Sequence, residues 1–182
     1  MSRSQITFVV LAAVLAFWAL GAYNRLMRLR NAIVQGFAPV DQQLKLRHAL
    51  LQRQIEALAP LLREHADNLS ALQAACAQAQ VAGAHARAHP GAAGALTSLR
   101  LAEGILLQMR ERLPSARAVA DADQADPANL ATLSTELATV ETALQFARGR
   151  FNDAVMGYNH AVQQFPTRLL AGLFGFRVAG AF

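Results

Sequence analysis

The chain has 182 residues, of which 54% are hydrophobic and 7% aromatic, with a formal charge of +5 and a single cysteine. One cysteine excludes an internal disulfide framework and a thiolate metal site, and a modest positive charge without an aromatic-interleaved basic patch excludes a nucleic-acid surface. Alanine and leucine dominate and long alternating Val/Ile/Thr runs are missing, so the expected fold class is all-α.

The first element is the apolar run ITFVVLAAVLAFWALGAY, 18 residues from Ile6 to Tyr23, set in an uncharged stretch from Ser4 to Asn24. Its length suits a bilayer span. Arg3 flanks it on one side and Arg25, Arg28 and Arg30 on the other. A cleavable signal peptide is the rival reading, with small residues at Ala19 and Gly21. The run exceeds a usual signal core and leads straight into helical sequence, which favours a retained anchor. By the positive-inside rule the three following arginines place the N-terminus outside and the domain in the cytoplasm, as a single-pass membrane protein. Residues 1–23 are thus the anchor. The other 159 of the 182 are enough for one domain with its own core: a bundle over 24–166 and an apolar tail over 167–182.

From Tyr23 onward a seven-residue apolar period runs through Met27, Val34, Asp41, His48, Ile55, Leu62, Leu69 and Cys76. Its companion positions are Tyr23, Arg30, Phe37, Leu44, Leu51, Leu58, His65, Leu72 and Ala79. The period predicts one long helix continuous with the span and reaching about Ala82, packed by coiled-coil-like geometry. Pro39 and Pro60 lie opposite this seam and predict kinks, not ends. The segment His89-Pro90-Gly91 to Gly94 predicts a break. A second helix is expected over Ala95 to Leu113, on Leu99, Ala102, Leu106, Met109 and Leu113. Pro114 to Ala125 reads as a connector, with a helical turn at Ser115 to Ala120. Asp126-Pro127 then predicts a helix start. The last helix carries Leu130, Leu133, Leu137, Val140, Leu144, Ala147, Phe151, Ala154, Tyr158, Ala161 and Phe165 on one stripe, up to Pro166.

No set of catalytic roles is assembled, no phosphate loop or nucleophile elbow is present, and no cofactor or metal is expected. His85 and His89 are spaced for one metal on a helix, but no third ligand accompanies them. His48, His65 and Cys76 read as packing residues. Polar stripes beside the seams are Asn24, Arg28, Asn31 and Gln35 on the first helix, and Glu141, Gln145, Arg148, Asn152 and Asn159 on the last. These are either solvated faces or an interhelical network that fixes register. Asp41 on the seam calls for a partner, and antiparallel packing predicts Arg148. In the tail, Arg168, Leu169, Leu170, Leu173, Phe174, Phe176 and Arg177 have the residue mixture of a membrane-interface segment; docking on the bundle's own side is the alternative.

YNRLMRLRN from Tyr23 and VDQQLKLR from Val40, together with Glu141, Ala147-Arg148, FNDAV from Phe151, Tyr158-Asn159, Phe165-Pro166 and GLFGF from Gly172, resemble the LemA family in order and spacing. Phe37, LLQRQ from Leu50, and Phe151 depart from the family's tryptophan, Leu-Ile-Pro-Asn-Leu and tyrosine. The resemblance implies an N-terminally anchored, antiparallel bundle of long helices and no catalytic residues, with some relatives associated with organising bacterial membranes or compartments. The expected function is a membrane-anchored structural or scaffolding role in a bacterial envelope, or else an accessory or sensor subunit of a membrane complex. The expected partners are the lipid bilayer and either a second copy of this chain or another membrane protein.

Overall fold

Ser2 opens the first helix with a reciprocal cap: its hydroxyl accepts from the Gln5 amide at 3.4 Å while the Gln5 side chain accepts from the Ser2 amide at 2.9 Å. The computed structural model describes residues 2–113 and 126–182, and from this cap helix α1 runs unbroken over Arg3–Leu58. Pro39 sits inside it with its ring outward, where the missing amide costs one hydrogen bond but no packing. The apolar N-terminal part is long enough to cross a membrane, and none of it is buried in the bundle. Leu26 is the first buried residue.

The expected rod to Ala82 is corrected at Pro60. Helix α1 stops at Leu58, the amides of Leu61 and Leu62 both turn back to the Leu58 carbonyl at 3.0 Å, and a 3-10 turn over Arg63–His65 leads into α2, Ala66–Ala88. Pro60 has no amide for the α1 ladder, and here the break became a reversal: Cys76 Sγ lies 3.9 Å from the His48 carbonyl, and Arg87 Nε donates to Asp41 at 2.9 Å. The seven-residue period crosses the turn only because Leu69, Leu72, Cys76 and Ala79 form α2's own buried stripe.

Helix α3, Ala93–Glu111, returns parallel to α1, and α4, Pro127–Gln163, descends antiparallel to it. The rings of Phe37 and Phe151 meet edge to face at 5.5 Å. Asp126 caps α4 as the sequence predicts, accepting from the Asn129 amide at 3.1 Å. The predicted connector over 114–125, with its turn at Ser115 to Ala120, lies outside the described residues. The result is an all-α, up-down-up-down bundle whose first helix extends beyond it. No strand occurs among the described residues.

Two stripe assignments need correction. On α1 the buried positions are Leu26, Ile33, Phe37, Val40, Asp41, Leu44, Arg47, His48, Leu50, Leu51, Ile55 and Leu58, so the expected seam is buried from Phe37 onward, while Arg30 and Val34 are exposed. The helix faces several neighbours at once, so it buries a broad 3.6-residue face and not a narrow coiled-coil seam. On α4, Phe165 lies past the helix end and is exposed, because the chain leaves α4 at Gln164.

Helix α5, Thr167–Leu173, follows, and Gly175 ends it with φ 71°. The Phe176 amide reaches back to the Ala171 carbonyl at 2.9 Å, closing the helix by a left-handed residue that glycine tolerates best. GLFGF is therefore a helix stop. Residues 176–182 then run along α4 as an extended strap.

The core has two apolar clusters. One joins Leu26–Leu44 to Ala86, Leu96, Leu99 and the α4 residues from Leu144 to Val162; the other joins Leu50–Leu62 to α2, Ala102, Leu106 and Leu130–Leu137. A layer of buried charge lies between them.

Candidate functional site

Two polar assemblies stand out, and the first is the charged layer. Arg47 and Glu103 are only 3% and 2% exposed and are paired directly, while Glu103 Oε1 also accepts from His48 Nε2 at 2.7 Å. Glu141 approaches Arg47 at 3.7 Å and Arg110 at 3.6 Å, so the layer ties α1, α3 and α4 together. Burial lowers the Arg47 pKa to about 10, against the pull of Glu141, and the guanidinium stays charged at neutral pH. Burial, reinforced by the Arg47 charge, pushes His48 down to about 4, so its neutral ring donates to Glu103. Sequence reasoning missed Arg47 and Glu103. The available signal was a glutamate at a 3-4-3 spacing within Leu96, Leu99 and Leu106, the buried stripe of α3.

Asp41 lies at the edge of this layer and pairs with Arg87 Nε at 2.9 Å and Lys45 Nζ at 2.8 Å. The expected Asp41–Arg148 contact is corrected. Phe37 opposite Phe151 and Arg47 beside Glu141 set the α1–α4 register, and Arg148 turns instead toward the strap. Asn24, Arg28 and Asn31 are exposed on α1 and take no part in an interhelical network among the described residues.

The second assembly is the strap and its clamps. Asn159 accepts from the Ala179 amide at 2.7 Å and donates to the Ala179 carbonyl at 2.9 Å. Asn152 treats Phe182 the same way, at 2.9 and 2.8 Å. Seven helical residues rise about 10.5 Å, and three extended residues span about 10 Å. Asparagines at 152 and 159 therefore match backbone at 182 and 179, provided the strap runs antiparallel to α4. Arg148 closes the row with its guanidinium 4.2 Å above the Phe182 ring, and burial lowers its pKa against the opposing pull of Glu141. Gly180 passes so close to α3 that a Cβ there would meet Ala93 Cα at 2.5 Å.

The tail residues divide into two groups. Arg168, Leu169 and Leu173 on α5 are exposed, whereas Phe176 is half-buried and packs with Phe174 edge-on against Tyr23, at 5.7 and 5.2 Å. The residues that follow α5 therefore lie beside the end of the apolar run of α1. Cys76 is buried, and burial raises its pKa. His85 and His89 have ring centroids 4.9 Å apart on an exposed face. No group of three His, Cys, Asp or Glu side chains suited to a metal occurs among the described residues.

The model of the LemA family matches residues 36–182, most of the chain and all of the strap. The chain belongs to the LemA family. A search of characterised proteins finds no match. The LemA-like motifs now acquire physical roles. FNDAV supplies Asn152 and the core ring of Phe151, Tyr158-Asn159 supplies the second clamp, and GLFGF supplies the stop that turns the strap onto α4.

Proposed function

We propose that this LemA-family chain is a membrane-anchored structural protein, a helical post that holds a binding surface at a fixed distance from a bacterial membrane. The observation that carries this is the continuity of α1. Its unburied apolar end and its core-forming end belong to one helix, Arg3–Leu58, with Ser2 capped at the far tip. A hinged tether would serve localisation alone, whereas a helix without a break fixes height and orientation as well. The exposed Leu169 and Leu173 on α5, the helix that leads into the Phe174 contact with Tyr23, support a second, interfacial contact with lipid. The positive flank at Arg25, Arg28 and Arg30 supports a cytoplasmic domain with the N-terminus outside. No catalytic role is assigned, and the partners are the bilayer together with a second copy or another membrane protein.

The second reading, an accessory or sensor subunit, is favoured by the buried layer of Arg47, His48, Glu103 and Glu141, since ionic groups between two apolar clusters fix a specific helix register. Crosslinking in intact membranes, followed by native mass measurement in detergent, separates the two. Homo-assemblies support the scaffold, and a hetero-complex of fixed stoichiometry supports the accessory subunit.

A further inference from the structure

The strap, α1 and the α2–α3 turn enclose a cleft of about 660 Å³ whose chemistry neither the bundle nor the anchor uses. Its lining includes Arg30, Arg177, His89 and Tyr158 and contains no acidic residue. Neither Arg30 nor Arg177 forms a salt bridge among the described residues. Tyr158 is 4% exposed as a residue and lines the cleft, and its hydroxyl is not one of the buried polar atoms left without a partner. Burial raises its pKa against the Arg30 charge, so it stays an O–H donor at neutral pH. Helix α3 begins at the cleft without a side-chain cap on Ala92 and without an acidic residue in its first turn. Its positive end and leading amides therefore add to the same field.

We propose that this cleft binds a phosphate-bearing anion. Two guanidiniums offer planar donor forks, the phenol adds a neutral donor, and the helix start adds its positive end, a set suited to a tetrahedral oxyanion. Arg30 lies seven residues beyond Tyr23, about 10 Å along the helix, just outside a headgroup layer roughly 5–8 Å deep. A soluble phosphate reaches this height freely, and a lipid-borne one meets the site where the Arg30 side chain extends back toward the headgroups. Only the lipid source rests on the anchored reading; the recognition chemistry does not.

The test uses the full chain in neutral detergent at physiological salt. Titration calorimetry is run with inorganic phosphate and, separately, with micelles carrying a short-chain phosphatidic acid. Saturable binding at one site per chain is expected, weakened at least tenfold in Arg30→Gln and in Arg177→Gln and by a smaller factor in Tyr158→Phe. Both arginines are exposed, so unchanged thermal unfolding of these variants shows that the fold is retained. Binding of inorganic phosphate identifies the bare anion as ligand, and binding of phosphatidic acid alone identifies a lipid-borne phosphate. No saturable binding of either probe, or wild-type affinity in the Arg30→Gln/Arg177→Gln double variant, overturns the proposal. Because the titrations are done in micelles, their failure leaves the anchoring intact, and failure of anchoring leaves them intact.

Discussion

His48 illustrates how a single buried group sets a pH dependence. Its folded pKa of about 4 lies below the unfolded value near 6.5, so between these limits the unfolded chain binds a proton that the folded chain does not. The sign follows: this contribution is complete above pH 6.5 and is lost as pH falls toward 4, by on the order of 3 kcal/mol. Denaturant midpoints should stay level from pH 8 to 7 and fall across that window, and His48→Gln should flatten the fall. An unaltered profile in that variant assigns the acid sensitivity to other groups. For the pair beside it, Glu103→Ala leaves Arg47 charged with only the more distant Glu141 to face, in a site where it is 3% exposed, and should cost about 3 kcal/mol. Replacing Arg47 and Glu103 together by Met and Leu should cost less than Glu103→Ala, because the desolvation penalty disappears with the charges, although His48 loses its acceptor. Equilibrium unfolding of the three proteins compares the two cases directly.

The strap is the element whose placement depends most on individual atoms. Asn152→Ala and Asn159→Ala each remove two hydrogen bonds, an effect on the order of 2 kcal/mol, and should raise exchange at the Ala179 and Phe182 amides by tenfold or more. Gly180→Ala should lift the strap by a different route, since its new methyl meets backbone at Ala93 that cannot rotate away. Hydrogen exchange that leaves residues 176–182 as protected as in wild type would remove the clamp interpretation. Much of this architecture was legible beforehand. The start of α4 at Asp126-Pro127, its stripe from Leu130 to Ala161, and the break near Pro90 follow from caps and periodicity. The reversal at Pro60 was hidden because proline announces an interruption without its angle, and a buried stripe on the next helix kept the period. Asn152 and Asn159 were visible as a spaced polar row, but their partner is backbone, which no side-chain pattern reveals. Arg47 and Glu103 were obscured for the opposite reason, as charges buried where burial normally selects against them.

For the whole molecule, the proposed anchoring makes definite predictions about how the bundle would stand on a membrane. Helix α5 exposes Leu169 and Leu173 and leads into the Phe174 contact with Tyr23, so a span-free domain beginning at Asn24 should still cosediment with anionic liposomes. Leu169→Ser/Leu173→Ser should release it without unfolding, since neither side chain belongs to the core; retained cosedimentation would assign that binding to the arginines. The central claim is that the span and the first core helix are one rigid element. The most direct measurement places spin labels singly from Phe17 to Val34 in the reconstituted full chain and records oxygen and water accessibility at each site. An unbroken α1 predicts a single 3.6-residue periodicity across Tyr23 to Arg30, with depth rising by about 1.5 Å per residue out of the bilayer. Loss of periodicity between Gly21 and Arg28, or water accessibility at Phe17 equal to that at Val34, would contradict it.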